Sequence, residues 1–303
     1  MPLSPAFDAG RFAILELIAR GRALPDVLDR IVRLIEAERH GLIASILLVD
    51  LEARCLRDGA APSLPIAYTR LLDGLPIGPK NGSCGTAAYL GEPVIVEDIS
   101  THPYWEDFAQ LALPHGLRAC WSTPIRAADG TVLGTFAVYY LKPRGPRESE
   151  VGLVAAATDL AAVAIGRDRV ERSVRRSEAR YRQIIDGAHE GIWTTDTSHR
   201  TTFANRRMGE ILGEPAAALP GRSLLEFVHP DDKRRLEQSL SSRNTGRSDE
   251  VEFRVCGKDG SERWVVSSVT AITNEFGEVA GAVGFVRDVR ERRASSVSHL
   301  IGN

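Results

Sequence analysis

Cysteine is scarce in this 303-residue chain, at four residues: Cys55, Cys84, Cys120 and Cys256. None forms a CxxC pair and no histidine stands at zinc-finger spacing, so a disulfide framework and a zinc ribbon are excluded and a reduced, cytoplasmic setting is expected. A charge surplus is also missing. Thirty-eight basic against forty acidic side chains leave a net charge of -2, without the basic excess of a chain that grips phosphates, so no nucleic-acid partner is expected. Long apolar runs are absent too: the stretch from Leu153 to Ile165 is broken by Thr158 and Asp159 and is too short to span a bilayer. The amino terminus MPLSPAFDAGRF has no basic start followed by an apolar run, so neither a signal peptide nor membrane insertion is expected.

What is present is ordinary globular material. The 43% apolar and 26% charged shares argue against long disorder, and the length suits two domains, each with its own core.

Between residues 8 and 38, Phe12, Leu15, Leu17, Ile18, Leu24, Val27, Leu28, Ile31, Leu34 and Ile35 recur at helical spacing. A break near Gly21 to Pro25 divides them into two amphipathic helices. Ser45 to Asp50 reads as a buried strand, and Arg54 to Ala60 as its antiparallel partner. Pro124 to Arg126 and Thr131 to Tyr140 flank Asp129-Gly130, a hairpin turn signal. Pro146, Glu148 and Glu150 have the chemistry of a helix start. From Leu160 the positions 160, 163, 167, 170, 174, 177, 181 and 184 alternate steps of three and four. Six of them are apolar, Arg167 and Ser177 being the exceptions, which predicts a dimeric connector helix with charged outer faces.

The second half predicts strands at 191 to 196 and 201 to 204, a helical middle, then strands at 250 to 256, 262 to 272 and 278 to 287. Val251, Phe253 and Val255 alternate, and Asp259-Gly260 and Asn274 to Gly277 supply tight turns, so the order is antiparallel. His229-Pro230-Asp231-Asp232 opens a helix that runs to about Ser242.

Gly82-Ser83-Cys84-Gly85-Thr86-Ala87-Ala88, Gly91-Glu92-Pro93-Val94-Ile95-Val96-Glu97-Asp98-Ile99 and Gly116-Leu117-Arg118-Ala119-Cys120-Trp121-Ser122-Thr123-Pro124-Ile125, in that order, resemble a GAF domain. From about 177 to 293 the chain resembles a PAS domain, through Gly191-Ile192-Trp193, Phe203-Ala204-Asn205, Phe227 to Asp232, Lys258 to Ser261, Arg263-Trp264-Val265 and Gly284 to Val289. The resemblance implies an α+β class, with two domains, each a central antiparallel sheet flanked by helices, joined by a long helix. The expected boundaries are 1–168 (GAF-like), 169–183 (helical connector), 184–293 (PAS-like) and 294–303 (tail).

The families imply ligand-binding or dimerising input modules, as in the sensory regions of bacterial histidine kinases and diguanylate cyclases. Cys84 and Cys120 are candidate site residues, because GAF relatives include cysteine-linked bilin receptors and a thiol-dependent free methionine sulfoxide reductase. Here the reductase's longer segment after the second cysteine is missing, and Leu113-Pro114-His115 stands where a bilin cysteine would be. Tyr104, Trp105, His115 and Trp121 suit the wall of a pocket for a small planar ligand, or a cover for the sheet. In the PAS half, Trp193, Phe203, Asn205, Phe227 and Phe285 either enclose a small apolar ligand or form an ordinary core. No flavin-adduct Asn-Cys-Arg-Phe segment is present, and His229 reads as a helix flank and not a haem ligand, so the cofactor stays unknown. Asp288 and Arg290 mark the junction from the last strand to an outgoing helix.

The expectation is a cytoplasmic sensory protein without catalysis or an output domain on this chain. It pairs as a homodimer through the connector and works with a downstream kinase, response regulator or cyclase. Three readings stand beside it: a truncated relative of a sensor histidine kinase or diguanylate cyclase, a reductase-like GAF enzyme, and a scaffold that holds no ligand.

Overall fold

A computed structural model describes residues 4–38, 41–241, 250–258 and 260–289. The chain divides into two compact units, Met1–Val174 and Arg175–Asn303, with the division inside one long helix. Residues 169–183, expected as connector, are part of that helix.

In the first unit the order is α1 (Pro5–Ala19), α2 (Leu24–Glu38), β1 (Ile43–Asp50), β2 (Cys55–Ala60), α3 (Ile66–Leu72), β3 (Leu75–Pro76), α4 (Gly82–Leu90), β4 (Val94–Val96), α5 (Ala109–Ala112), β5 (Ala119–Arg126), β6 (Val132–Tyr140) and α6 (Glu148–Asp186). Ser4 caps α1 by accepting the Phe7 N–H at 3.0 Å, with Pro5 at the first helical position. The break before α2 falls at Gly21, whose φ of +71° is costly for any residue with a Cβ. The six strands lie in the order β3-β2-β1-β6-β5-β4, and every pairing is antiparallel.

Both faces of this sheet are buried. Phe7, Ile14, Leu28, Ile31 and Ile35 of α1 and α2 pack with Leu153, Val154, Ala157, Ala161 and Ile165 of α6 against Ala44, Phe136 and Val138. The opposite face, carrying Leu47, Cys120, Ala137 and Tyr139, is covered by Tyr68 and Leu72 of α3, Cys84 and Ala87 of α4 and Ala112 of α5. Arg144 pairs with the buried Glu150 at 2.6 Å, and Glu150 also accepts the Arg147 N–H (2.7 Å) and the Tyr140 hydroxyl (3.0 Å), which pins the start of α6. Farther along, Arg169 donates to the carbonyls of Val49 (3.0 Å) and Leu133 (3.3 Å), tying the helix to β1 and β6.

The second unit holds β7 (Gly191–Asp196), β8 (Thr201–Ala204), α7 (Arg206–Leu212), α8 (Pro230–Ser241), β9 (Glu250–Cys256), β10 (Glu262–Thr273) and β11 (Val279–Asp288). Its sheet runs β8-β7-β11-β10-β9, again antiparallel. Met208, Ile211, Leu212, Leu236, Phe227, Phe253, Val255, Val265 and Val286 form the core on one face. Gly277, at φ +80°, turns β10 into β11. Asp259, Arg290 and the tail from 294 lie outside the described residues.

Candidate functional site

Two interiors bring together side chains that carry chemistry. In the first unit, the strand registers place Ser45, Ala137, Ser122 and Val94 in one row across β1, β6, β5 and β4, next to a row of Ile43, Tyr139, Cys120 and Val96. Small and polar residues thus form the floor under α4. Two glycines let that helix come close. Gly82 opens it at φ +62°, and a Cβ on Gly85 would stand 2.5 Å from the Pro76 carbonyl oxygen and 2.8 Å from the Asn81 Cβ. Ser83 then donates to the Cys120 carbonyl at 3.1 Å and accepts the Trp105 indole N–H at 2.9 Å, which fixes α4 over β5.

Cys84 and Cys120 are both buried, free thiols within the core on this face of the sheet. The contact from Cys120 holds the Cys84 thiol below its ordinary pKa against the upward pull of burial, with help from Ser122, Thr135 and Tyr139. Burial pushes Cys120 well up, and its contact with Cys84 pushes in the same direction. The side chains of Ser122 and Thr135 are fully buried, and their hydroxyls have no well-aligned hydrogen-bond partner among the described residues. Tyr139 meets the ring of Tyr68 edge-on at 5.9 Å, and Tyr68 meets His115 at 5.6 Å. Cys84, Trp105, Tyr68 and Tyr139 line a narrow void of about 340 Å³, counting its open mouth.

Of the first-unit candidates, Cys84, Cys120, Trp105 and His115 therefore share one face, with Tyr104 half-buried beside them against His102. Trp121 does not join them. It belongs to the core on the helix side of the sheet, because neighbours along a strand point to opposite faces, and its indole N–H has no partner among the described residues. Ser122, Thr135, Tyr68 and Tyr139 went unpredicted, although the i, i+2 spacing from Cys120 to Ser122 was a signal for the first.

In the second unit, Trp193, Phe253, Ser267, Val269 and Gly284 surround a void of about 380 Å³, again counting its mouth. Trp193 lies edge-on to Phe227 at 5.7 Å and donates to Thr201 at 2.9 Å. Gly284 pairs with Trp193 on one side and Val269 on the other, and its missing side chain leaves the space. Phe203 and Phe285 correct the expected ring of four aromatics. They pair with Thr194 and Ile192, on the opposite sheet face from Trp193, and are 38% and 41% exposed.

Asn205 is likewise not placed for a ligand. Its side chain is fully buried, accepts the N–H groups of Ile192 and Met208 at 2.9 Å each, and donates to the carbonyls of Ile185 (2.9 Å) and Glu190 (3.0 Å). All four hydrogen-bonding positions are spent on backbone. His229 caps α8 by accepting the Asp231 N–H at 3.3 Å. Asp288 pairs with Val265 across the sheet at the end of β11, and Arg290, its proposed partner in the junction, is outside the described residues.

Comparison with known proteins agrees with this plan. The family model for a GAF domain matches residues 21–166 and that for a PAS fold matches 179–289. The chain is 36% identical over 289 residues to the methyl sulfide methyltransferase-associated sensor of Methanosarcina acetivorans, across 95% of this chain and 29% of that protein. It is 25% identical over 162 residues to the methanogenesis regulatory histidine kinase FilI of Methanothrix harundinacea, across 52% of this chain and 18% of the kinase. Among solved structures, the GAF domain of an Acinetobacter phosphoenolpyruvate-protein phosphotransferase is 19% identical, with a TM-score of 0.44 over 56% of this chain and 99% of that one. The chain spans less than a third of the length of these curated relatives. It is a GAF domain followed by a PAS domain, with a sensory input role like that of the sensor proteins and sensor histidine kinases it resembles.

Proposed function

We propose that this chain is the input region of a dimeric, cytoplasmic signalling protein, in which α6 of one copy pairs with α6 of a second. The paired helices carry changes in the GAF and PAS interiors to a downstream kinase, response regulator or cyclase. The observation that carries this reading is the surface of α6. Val163, Val170, Val174, Tyr181 and Ile184 are all exposed, and all fall on the seam of alternating threes and fours. The 21 steps from Val163 to Ile184 rise over roughly 32 Å of helix. Exposed apolar side chains at that regular spacing call for a matching surface, and a second copy supplies one. Arg167, at a polar position of the seam, pairs with Glu171, and Arg172 pairs with Asp168 on the polar surface of the helix.

This helix is also the one segment among the described residues long and apolar enough, by length and composition, to cross a membrane. Half of its most apolar window is buried in the protein, in the core packed by Leu153, Val154, Ala157 and Ala161, which marks it as a core helix.

The void beside Trp193 and Ser267 suits a small, mostly apolar ligand with one polar group, and is the proposed stimulus site of the PAS domain. Sedimentation of the purified chain tests the reading. A dimer at tens of micromolar that becomes a monomer in the Val170→Asp, Val174→Asp double variant supports it, and a wild-type monomer overturns it.

A further inference from the structure

We propose that an arginine stripe on the back of α6 docks an acidic helical segment of a partner protein. The stripe consists of Arg172, Arg175, Arg176, Arg180 and Arg182, all exposed. The inference goes beyond the dimer reading and stands without it, because the stripe lies on the other side of the helix and stays accessible whether or not the seam is covered.

Angular position is the first support. At about 100° of turn per residue, the five arginines fall within about 160° of arc on the side of the helix away from Val170, Val174, Tyr181 and Ile184. Between Arg172 and Gln183 that side carries no carboxylate, and Glu178 stands at the edge of the seam. Charge is the second support. From Arg172 to Gln183 five arginines stand against one acidic residue, a local charge of +4 in a chain whose net charge is -2. Arg172 pairs with Asp168 at 2.7 Å, whereas Arg176, Arg180 and Arg182 form no ion pair among the described residues. Arg172, Arg176 and Arg180 also stand four residues apart in one row, where like charges weaken a helix. Helix faces built for solvent alone mix the two signs, as elsewhere in this chain, where Arg20, Arg33 and Arg206 pair with Glu16, Asp29 and Glu210.

The kind of partner follows from this arrangement. A guanidinium holds a carboxylate through two parallel N–H···O bonds, and clusters of arginine are a recurring means of recognising acidic segments. The ten steps from Arg172 to Arg182 rise about 15 Å, which matches about three turns of a partner helix carrying Asp or Glu at i, i+4 and i+7. A long polyanion such as nucleic acid fits less well. Outside this stretch 33 of the 38 basic and 39 of the 40 acidic side chains remain, a charge of -6 that repels phosphates lying beyond the stripe. The same acidic remainder opposes a broad anionic membrane surface, whereas a short acidic helix meets only the stripe.

The test uses the full chain and a fluorescein-labelled peptide of alanine and glutamate, about 18 residues long so that it is helical, with glutamates at i, i+4 and i+7. Binding is followed by fluorescence anisotropy. The expected result is saturable binding that weakens with added salt, and a loss of about tenfold in affinity in the Arg176→Gln, Arg180→Gln, Arg182→Gln triple variant. A second triple variant, Arg11→Gln, Arg30→Gln, Arg70→Gln, removes the same charge from exposed arginines elsewhere and is expected to bind within about twofold of the wild type. All six substitutions change exposed side chains only, so both variants keep the fold. Overturning results are no binding of the peptide at low salt, equal losses in the two variants, or a single-stranded DNA oligonucleotide or phosphatidylglycerol vesicles binding more tightly than the peptide and losing that binding in the stripe variant alone.

Discussion

Asn205 donates its side-chain amide to the carbonyl of Ile185, at 2.9 Å, and so binds the last turn of α6 to the start of the PAS sheet and to the cap of α7. A helix that transmits a signal needs a rigid attachment at its end, and this one consists of four hydrogen bonds to backbone. Asn205→Ala removes them all and leaves buried groups unpaired, with an expected loss of about 2–4 kcal/mol in PAS stability. Asn205→Asp keeps the shape but sets a carboxylate against two carbonyl oxygens, and it is expected to be at least as damaging. Urea unfolding followed by Trp193 fluorescence measures both.

Glu150 supplies a pH dependence whose sign follows from its surroundings. Burial alone raises its pKa, but Arg144, the Arg147 N–H and the Tyr140 hydroxyl outweigh burial and set it below the ordinary value of 4.5. The folded-state value is therefore lower than the unfolded one. The stability from this group is complete above about pH 4.5 and is lost as pH falls through the folded value. Glu150→Gln is expected to cost about 1–3 kcal/mol at neutral pH and to flatten the acid limb of GAF stability, read by thermal melts between pH 3 and 7. An unchanged acid limb would show that Glu150 does not carry it.

Filling the PAS void separates ligand binding from folding. A Cβ at Gly284 would meet Ser267 Oγ at 3.1 Å and Val269 Cγ2 at 3.4 Å, and the backbone there is ordinary β-strand. Gly284→Val is thus expected to keep the fold, with a stability change within about 2 kcal/mol, while occupying the space beside Trp193. Mass spectrometry of denaturing extracts should find any small molecule bound by the wild-type chain reduced at least tenfold in the variant. Equal recovery would move the ligand elsewhere.

Much of the fold was legible because local signals repeat what packing demands. The strand at 250–256 follows the alternation of Val251, Phe253 and Val255, and Asn274 to Gly277 turns the chain where its residue types allow. Trp121 was misplaced because nearly all of β5, from Ala119 to Ile125, is buried on both faces, so no polar side marks the direction of its side chains. Phe203 and Phe285 were misplaced for a related reason: aromatic residues occupy both faces of the PAS sheet. Asn205 looked like a polar group for a ligand, and only the fold shows that its partners are the backbone of residues 185, 190, 192 and 208. The thiol cluster needed the register as well, since Cys84 is far in sequence from Thr135 and Tyr139.

The central claim is that the α6 seam faces a second copy, and site-directed cross-linking tests it most directly. Ser177 lies on the seam and Ala179 on the opposite face of the same exposed stretch. In a Cys256→Ser background, Ser177→Cys should give a disulfide-linked dimer under mild oxidation at least tenfold faster than Ala179→Cys. Equal rates at the two positions, or faster linkage at 179, would contradict a dimer built on this helix.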